Sequence, residues 1–272
     1  IYKFCCDQAQ GDLESFKFSG LESIFITMEN VSCKATIKII GGHPINIKQR
    51  PFMLSLHNSD GFICGASILS KNWGITALHC LTNNDVSKNR ETNYFVRAGS
   101  NKLYQGGSLH KLTKIYMYNN TMFQYWFSSI LYHDIALFEV RPRFRFSSTV
   151  RAVRLPTEFT KPPEQLCVCG WGYTSVQSNA KISNVLMGTC IRHTPYEACI
   201  EETPEYRMLV KKDHHLCYGA SGKDSCYGDS GGPLASKNTL YGIVSFGQNC
   251  AIVSGVYTKV SYYRRWIKQI TN

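Results

Sequence analysis

The sequence predicts an all-β protein, a sandwich or barrel, with one helix at the C-terminal end. Two observations carry this. From about residue 52 the chain runs as many short segments rich in β-branched and aromatic residues, separated by Gly, Asn, Ser and Pro, the pattern of strands and their turns. At its end, Tyr263, Trp266, Ile267 and Ile270 recur at helical spacing. The clearest strand segments are Met53–Leu56, Tyr94–Arg97, Ile135–Phe138 and Gly242–Ser245. A boundary between two halves is expected near 155–163, where Leu155-Pro156 and Lys161-Pro162-Pro163 mark an exposed connection. No internal repeat or low-complexity tract interrupts the pattern.

The chain has 272 residues, 43% hydrophobic and 18% charged, enough for a sizeable core in one large domain or two packed halves. No apolar run approaches the roughly 20 residues of a membrane span. The sequence starts at Ile1 with no charged-then-apolar leader, which reads as a processed form or a fragment. Twelve cysteines argue for an oxidising compartment. The sequons at Asn30 and Asn119 agree with export and are expected glycosylation sites. The net charge is +11, and residues 1–38 hold four lysines against five carboxylates, so the remainder carries +12. No zinc-finger, RNA-binding or basic-zipper pattern accompanies the charge, so it reads as surface solvation and no nucleic-acid partner is expected.

Three segments hold chemistry. Thr76-Ala77-Leu78-His79-Cys80 presents a histidine, His133-Asp134-Ile135-Ala136-Leu137 an aspartate at the mouth of an apolar strand, and Gly228-Asp229-Ser230-Gly231-Gly232-Pro233 a serine among glycines. A serine hydroxyl is a poor nucleophile without a base in hydrogen-bond reach, and that base needs an orienting carboxylate. Small residues around the serine let backbone N–H groups approach an oxyanion. Alone, a histidine beside a cysteine or an aspartate opening a strand reads as structural; their occurrence together with the Ser230 segment does not.

These segments, in the order His, Asp, Ser, resemble the chymotrypsin-like serine proteases, specifically the trypsin-like branch, and the resemblance covers residues 39–272. It implies two packed six-stranded antiparallel β-barrels with a C-terminal helix. It also implies His79 as general base and then acid, Asp134 as its orienting carboxylate, Ser230 as nucleophile, and the Gly228 and Ser230 N–H groups as the oxyanion hole. Ser245 matches the serine that supports the buried aspartate. The pocket base falls six residues before the nucleophile, at Asp224, where a carboxylate selects Lys or Arg. Ser225 would add a hydroxyl, Phe246 an apolar rim in place of the usual Trp, and Gly247 and Gly255 a wall open to a long side chain.

Lys38-Ile39-Ile40-Gly41-Gly42 resembles the family's activation junction. Cleavage after Lys38 would free the Ile39 amine to pair with Asp229, so the intact chain is expected to be a zymogen, with residues 1–38 as pro-segment. Cys5-Cys6 is similar to the end of a clip domain; an unrelated pro-segment is the alternative. Expected partners are substrates with Lys or Arg at the cut, an activating trypsin-like protease that includes the enzyme itself, and serpin- or Kunitz-type inhibitors. A secreted monomer with no metal, cofactor or membrane association is expected, and the loop from Ser100 lacks the acidic residues of a calcium site.

The resemblance also implies disulfides Cys64–Cys80, Cys199–Cys217 and Cys226–Cys250. Cys167, Cys169 and Cys190 remain, one of the first two pairing with Cys190 across neighbouring strands and the other able to meet Cys33. His214-His215-x-Cys217 has the residue types of a metal site but no second pair at zinc spacing; solvated histidines are expected there. Phe123–Phe127 reads as core packing or as a loop over the cleft. The alternative reading of the whole is a non-catalytic homologue that binds rather than cuts.

Overall fold

The computed structural model describes residues 42–82, 94–118, 132–173, 181–219, 222, 225 and 227–272. The expected pro-segment, Asn30, the Lys38–Ile39 junction, Asn119, Phe123–Phe127, Asp224 and Cys226 lie outside them.

The first barrel is built from β2 (Met53–Asn58), β3 (Gly61–Ile68), β4 (Trp73–Thr76), β5 (Phe95–Ala98), β6 (Ser108–Met117) and β7 (Ala136–Arg141). They close in the order β2-β3-β4-β7-β6-β5, every pair antiparallel. The second comprises β8 (Gln165–Gly170), β9 (Met187–Thr194), β10 (His215–Gly219), β11 (Pro233–Ser236), β12 (Thr239–Phe246) and β13 (Gly255–Lys259). It runs β8-β9-β10-β13-β12-β11 and closes through β11 on β8, with the two-residue β1 (His43–Pro44) added beside β9. Closure leaves no long sheet edge to be protected. Short helices α1 (Tyr196–Cys199) and α2 (Pro204–Leu209) precede β10. Thr203 caps α2 by accepting the Tyr206 N–H, and Pro204 occupies its first turn, where a missing N–H is tolerated.

The predicted C-terminal helix is α3 (Val260–Thr271). Its Val260, Tyr263 and Ile267 are buried in the first barrel's core with Phe52, Leu54, Ile75, Leu137 and Phe138. The helix follows β13 in sequence but packs on the other half, so the last turns of the chain couple the barrels. Ala235, Leu240 and Ile243 of the second barrel join the same core. A smaller apolar layer contains Met53 of β2, Cys169 of β8 and Trp171.

Side chains alternate between the two faces of β8, as period-two geometry requires. Leu166 and Val168 fill the second barrel, and Cys167 and Cys169 face outward. Antiparallel register sets Cys167 opposite Cys190 and Cys169 opposite Gly188. Cys167 and Cys190 are disulfide-bonded, and Cys169 is a free thiol. The possibility that this last cysteine meets Cys33 is therefore not realised. Its Sγ lies 3.8 Å from Met53 Sδ, and burial pushes its pKa up to about 12, so it stays protonated and unreactive.

His57 on β2 is 2% exposed. Its ring stacks on Phe95 at 5.0 Å, meets Phe62 and Tyr104 edge-on, and makes a 2.9 Å hydrogen bond with Ser55 Oγ. Burial, and then the Arg97 charge, lower its pKa to about 4. The unfolded chain, at the ordinary 6.5, therefore takes up this proton first. Stability from a neutral His57 is whole above pH 6.5 and is lost as pH falls through 4, by about 3 kcal/mol at the full extent. Melting temperatures between pH 7 and 4 test this. His57→Gln should be less stable at pH 7 but should lose less on acidification; identical pH dependence in the two proteins contradicts the assignment.

Candidate active site

Asp134 stands just before β7 and is wholly buried. Its carboxylate accepts three hydrogen bonds. The His79 backbone N–H donates to Oδ1 at 2.9 Å, His79 Nδ1–H to Oδ2 at 2.8 Å, and Ser245 Oγ–H to Oδ2 at 2.6 Å. Its own carbonyl accepts from Thr258 Oγ1 at 2.9 Å. A turn of the first barrel and a strand of the second thus hold one carboxylate. Burial alone would raise its pKa; the His79 charge, the His79 hydrogen bonds and the Ser245 bond outweigh burial and lower it. His79 is the complement: burial disfavours its charged form, but the Asp134 charge and hydrogen bond prevail, and its pKa is raised. An imidazole whose Nδ1–H is committed to a carboxylate presents Nε2 as an acceptor, the state a general base requires.

The His79 turn follows directly from β4. Residues Leu78–Leu81 form a 3₁₀ turn, Leu78 is buried in the first core, and Cys80 is bonded to Cys64 on β3. The side chain of His79 keeps 26% exposure, so it is fixed from behind and open in front. The disulfide also settles the one cluster of metal-ligand types among the described residues, Cys64, His79 and Cys80, because bonded sulfurs are not thiolate ligands.

Ser230 is tied to the first barrel through its backbone. Its carbonyl accepts the Gly65 N–H at 2.7 Å, Gly231 N–H donates to Val244 O at 2.8 Å, and Thr76 Oγ1 donates to Gly65 O at 2.8 Å. Gly231 has φ +74°, and a Cβ there would lie 2.1 Å from Thr76 Oγ1, so only glycine fits between the Ser230 loop and the strand that leads into the histidine turn. Among the described residues no hydrogen bond joins Ser230 Oγ to His79; such catalytic bonds are often long before substrate binds.

Gly228 has φ +89°, a left-handed conformation that suits glycine. Asp229 is 1% exposed. Its Oδ1 accepts the Gly172 N–H at 2.9 Å, and a Cβ at Gly170 would sit 2.2 Å from the same oxygen. Gly170-Trp171-Gly172 is therefore a cradle shaped around this carboxylate.

In the expected pocket, a Cβ on Gly247 would lie 3.6 Å from Gly255 Cα, so two small residues face each other across a narrow gap. Phe246 is half-buried against Tyr206. Ser225 Oγ lies 3.0 Å from Tyr257 OH, so this hydroxyl already has a neighbour. Cys199 is bonded to Cys217. Cys250 is disulfide-bonded, and Cys226, its expected partner, lies outside the described residues.

Sequence reasoning missed Glu202 and Thr258. Glu202 accepts from both the N–H and the Oγ of Ser254, at 2.6 and 2.8 Å, and so fixes the residue before Gly255. In sequence it is one acid in a polar stretch, with no local signal. His215 is a correction. Expected to be solvated, it is buried, because its Nδ1 accepts the Lys211 N–H and its ring packs on Phe246.

The comparisons agree with this geometry. The family model for trypsin matches residues 39–267. The chain belongs to the trypsin family of serine proteases. Among relatives of this trypsin-family chain, trypsin 5G1 of Aedes aegypti is 34% identical over an alignment of 244 residues that covers 86% of this chain and 85% of that one. Hypodermin-A of Hypoderma lineatum is 36% identical over 234 residues, 85% and 86% of the two chains. A solved structure, the scabies mite inactivated protease paralogue S-D1, superposes with a TM-score of 0.72 at 25% identity, covering 85% of this chain and 97% of that one.

Proposed function

We propose that this chain is a secreted zymogen of a serine endopeptidase that hydrolyses peptide bonds after Lys or Arg and is activated by cleavage between Lys38 and Ile39. The observation that carries the reading is the His79–Asp134 couple, buried on one side and open on the other, with Ser230 hydrogen-bonded to Gly65 on β3, next to the Cys64 that is bonded to Cys80. In the forward step Ser230 Oγ attacks the scissile carbonyl while His79 Nε2 takes its proton. The Gly228 and Ser230 N–H groups hold the oxyanion, and His79 returns the proton to the leaving amine. Water then repeats the sequence on the acyl-enzyme. The cradle of Gly170 and Gly172 supports Asp229 as the receiver of the Ile39 amine. A buried ion pair is costly unless well matched, so this one acts as a switch.

Specificity rests on Asp224 in register with Ser230, and on the small facing residues Gly247 and Gly255. The export reading rests on the disulfides Cys64–Cys80, Cys167–Cys190 and Cys199–Cys217 and the sequons at Asn30 and Asn119. A peptide library varied at the residue before the cut, given to the chain cleaved after Lys38, tests the pocket. Lys and Arg should dominate; cleavage mainly after Phe or Leu overturns the Asp224 assignment. The second reading, a non-catalytic binding homologue, is favoured by the likeness to an inactivated paralogue. Against it, the residue types of nucleophile, base and orienting carboxylate are all present here.

A further inference from the structure

The +12 carried by residues 39–272 is not spread evenly. Arg141 ends β7 and is the register partner of Lys111 on β6, so two cations sit side by side. The chain continues Pro142-Arg143-Phe144-Arg145-Phe146. Phe144 is 1% exposed and packs 4.5 Å from the His110 ring. The segment is pinned by the Phe144 N–H to Lys71 O at 2.7 Å and by His110 Nδ1–H to Pro142 O at 2.5 Å. With Phe144 inward, Arg143 and Arg145 are exposed on either side of it, and Lys71 is exposed beside them. None of these five cations forms an ion pair with a carboxylate among the described residues. The nearby acid on the strand, Glu139, is the register partner of Lys114 and Trp73.

A row of guanidinium groups with no ion-pair partner among the described residues suits a linear polyanion, because a planar fork binds sulfate or phosphate through two parallel hydrogen bonds. Phe146, 45% exposed at the end of the row, offers an apolar face of the kind that the C–H side of a sugar ring covers. The disulfides belong to an oxidising compartment, where sulfated glycans are the abundant linear polyanions. We infer that Lys71, Lys111, Arg141, Arg143 and Arg145, with Phe146, form a docking site for a sulfated polysaccharide. Arg141 and Asp134 stand at opposite ends of β7, about 20 Å apart along the strand, so the glycan tethers the protein without filling the cleft.

The test measures heparin binding by the full chain at 0.15 M salt and across a salt series. Arg141→Gln, Arg143→Gln and Arg145→Gln together should weaken binding at least tenfold and flatten the dependence of log affinity on log salt. A charge-matched triple, Lys161→Gln, Lys212→Gln and Lys268→Gln, should change it less than twofold. Both variants should keep the wild-type melting temperature, and heparin should leave hydrolysis of a short peptide amide by the chain cleaved after Lys38 unchanged. Equal losses in the two triples would show diffuse charge and overturn the site. Tighter binding of an equally charged single-stranded oligonucleotide than of heparin would overturn the choice of partner.

Discussion

Ser230→Ala, in the chain cut after Lys38, should lower kcat by about 10⁶-fold while leaving peptide affinity nearly unchanged. In the proposed mechanism this hydroxyl supplies the attacking oxygen, which alanine lacks. The effect is not expected to reach the uncatalysed rate, because oxyanion donors and substrate binding retain about 10³–10⁴-fold acceleration. The fold should not suffer. Ser230 is held through its backbone carbonyl, to Gly65 N–H, and alanine keeps that bond. A loss below tenfold, measured in a folded and correctly cleaved variant, would mean that another residue is the nucleophile.

Asp134→Asn should reduce kcat by about 10⁴-fold with a different signature. The isosteric amide fills the same buried site, but its NH₂ competes for the position that accepts His79 Nδ1–H at 2.8 Å. The imidazole then turns to the tautomer in which Nε2 carries the proton and is no base. Because Asp134 raises the His79 pKa, the wild-type acid limb of kcat/KM should have its midpoint above 6.5, activity falling as pH drops below it and His79 takes the proton. In Asp134→Asn that midpoint should move down. The stability linkage runs in two directions. Asp134's lowered pKa stabilises the fold above the ordinary carboxylate range and is lost on acidification. His79's raised pKa contributes below pH 6.5 and is lost as pH rises through its folded value. A pH–rate profile of the variant separates loss of a base from loss of structure, because only the former moves the acid limb.

Much of this site was legible because its chemistry sits in contiguous segments. Thr76–Cys80, His133–Leu137 and Gly228–Pro233 each carry their own local pattern, and the helix at 260–271 carries a period. What sequence left open depends on register and on contacts between distant strands. Whether Cys167 or Cys169 meets Cys190 is decided by which lies opposite it across an antiparallel pair, and the spacing of two along one strand does not distinguish them. Thr258 reaches Asp134 over 124 residues of chain, and Glu202 reaches Ser254 over 52. His215 reads as polar and exposed until β10 places it under Phe246. The basic row at 141–145 emerges only with the strand register that sets Arg141 opposite Lys111, because composition counts charges without placing them.

The central claim is that Ser230 is a working nucleophile, released by cleavage at Lys38. The most direct test is stoichiometric labelling with a serine-directed fluorophosphonate, before and after that cleavage, with the modified residue located by peptide mapping. The account predicts about one label per chain, on Ser230, after cleavage and very little before it. A folded chain, cleaved after Lys38 and still unlabelled, would contradict it and leave the binding homologue as the reading of this trypsin-family fold.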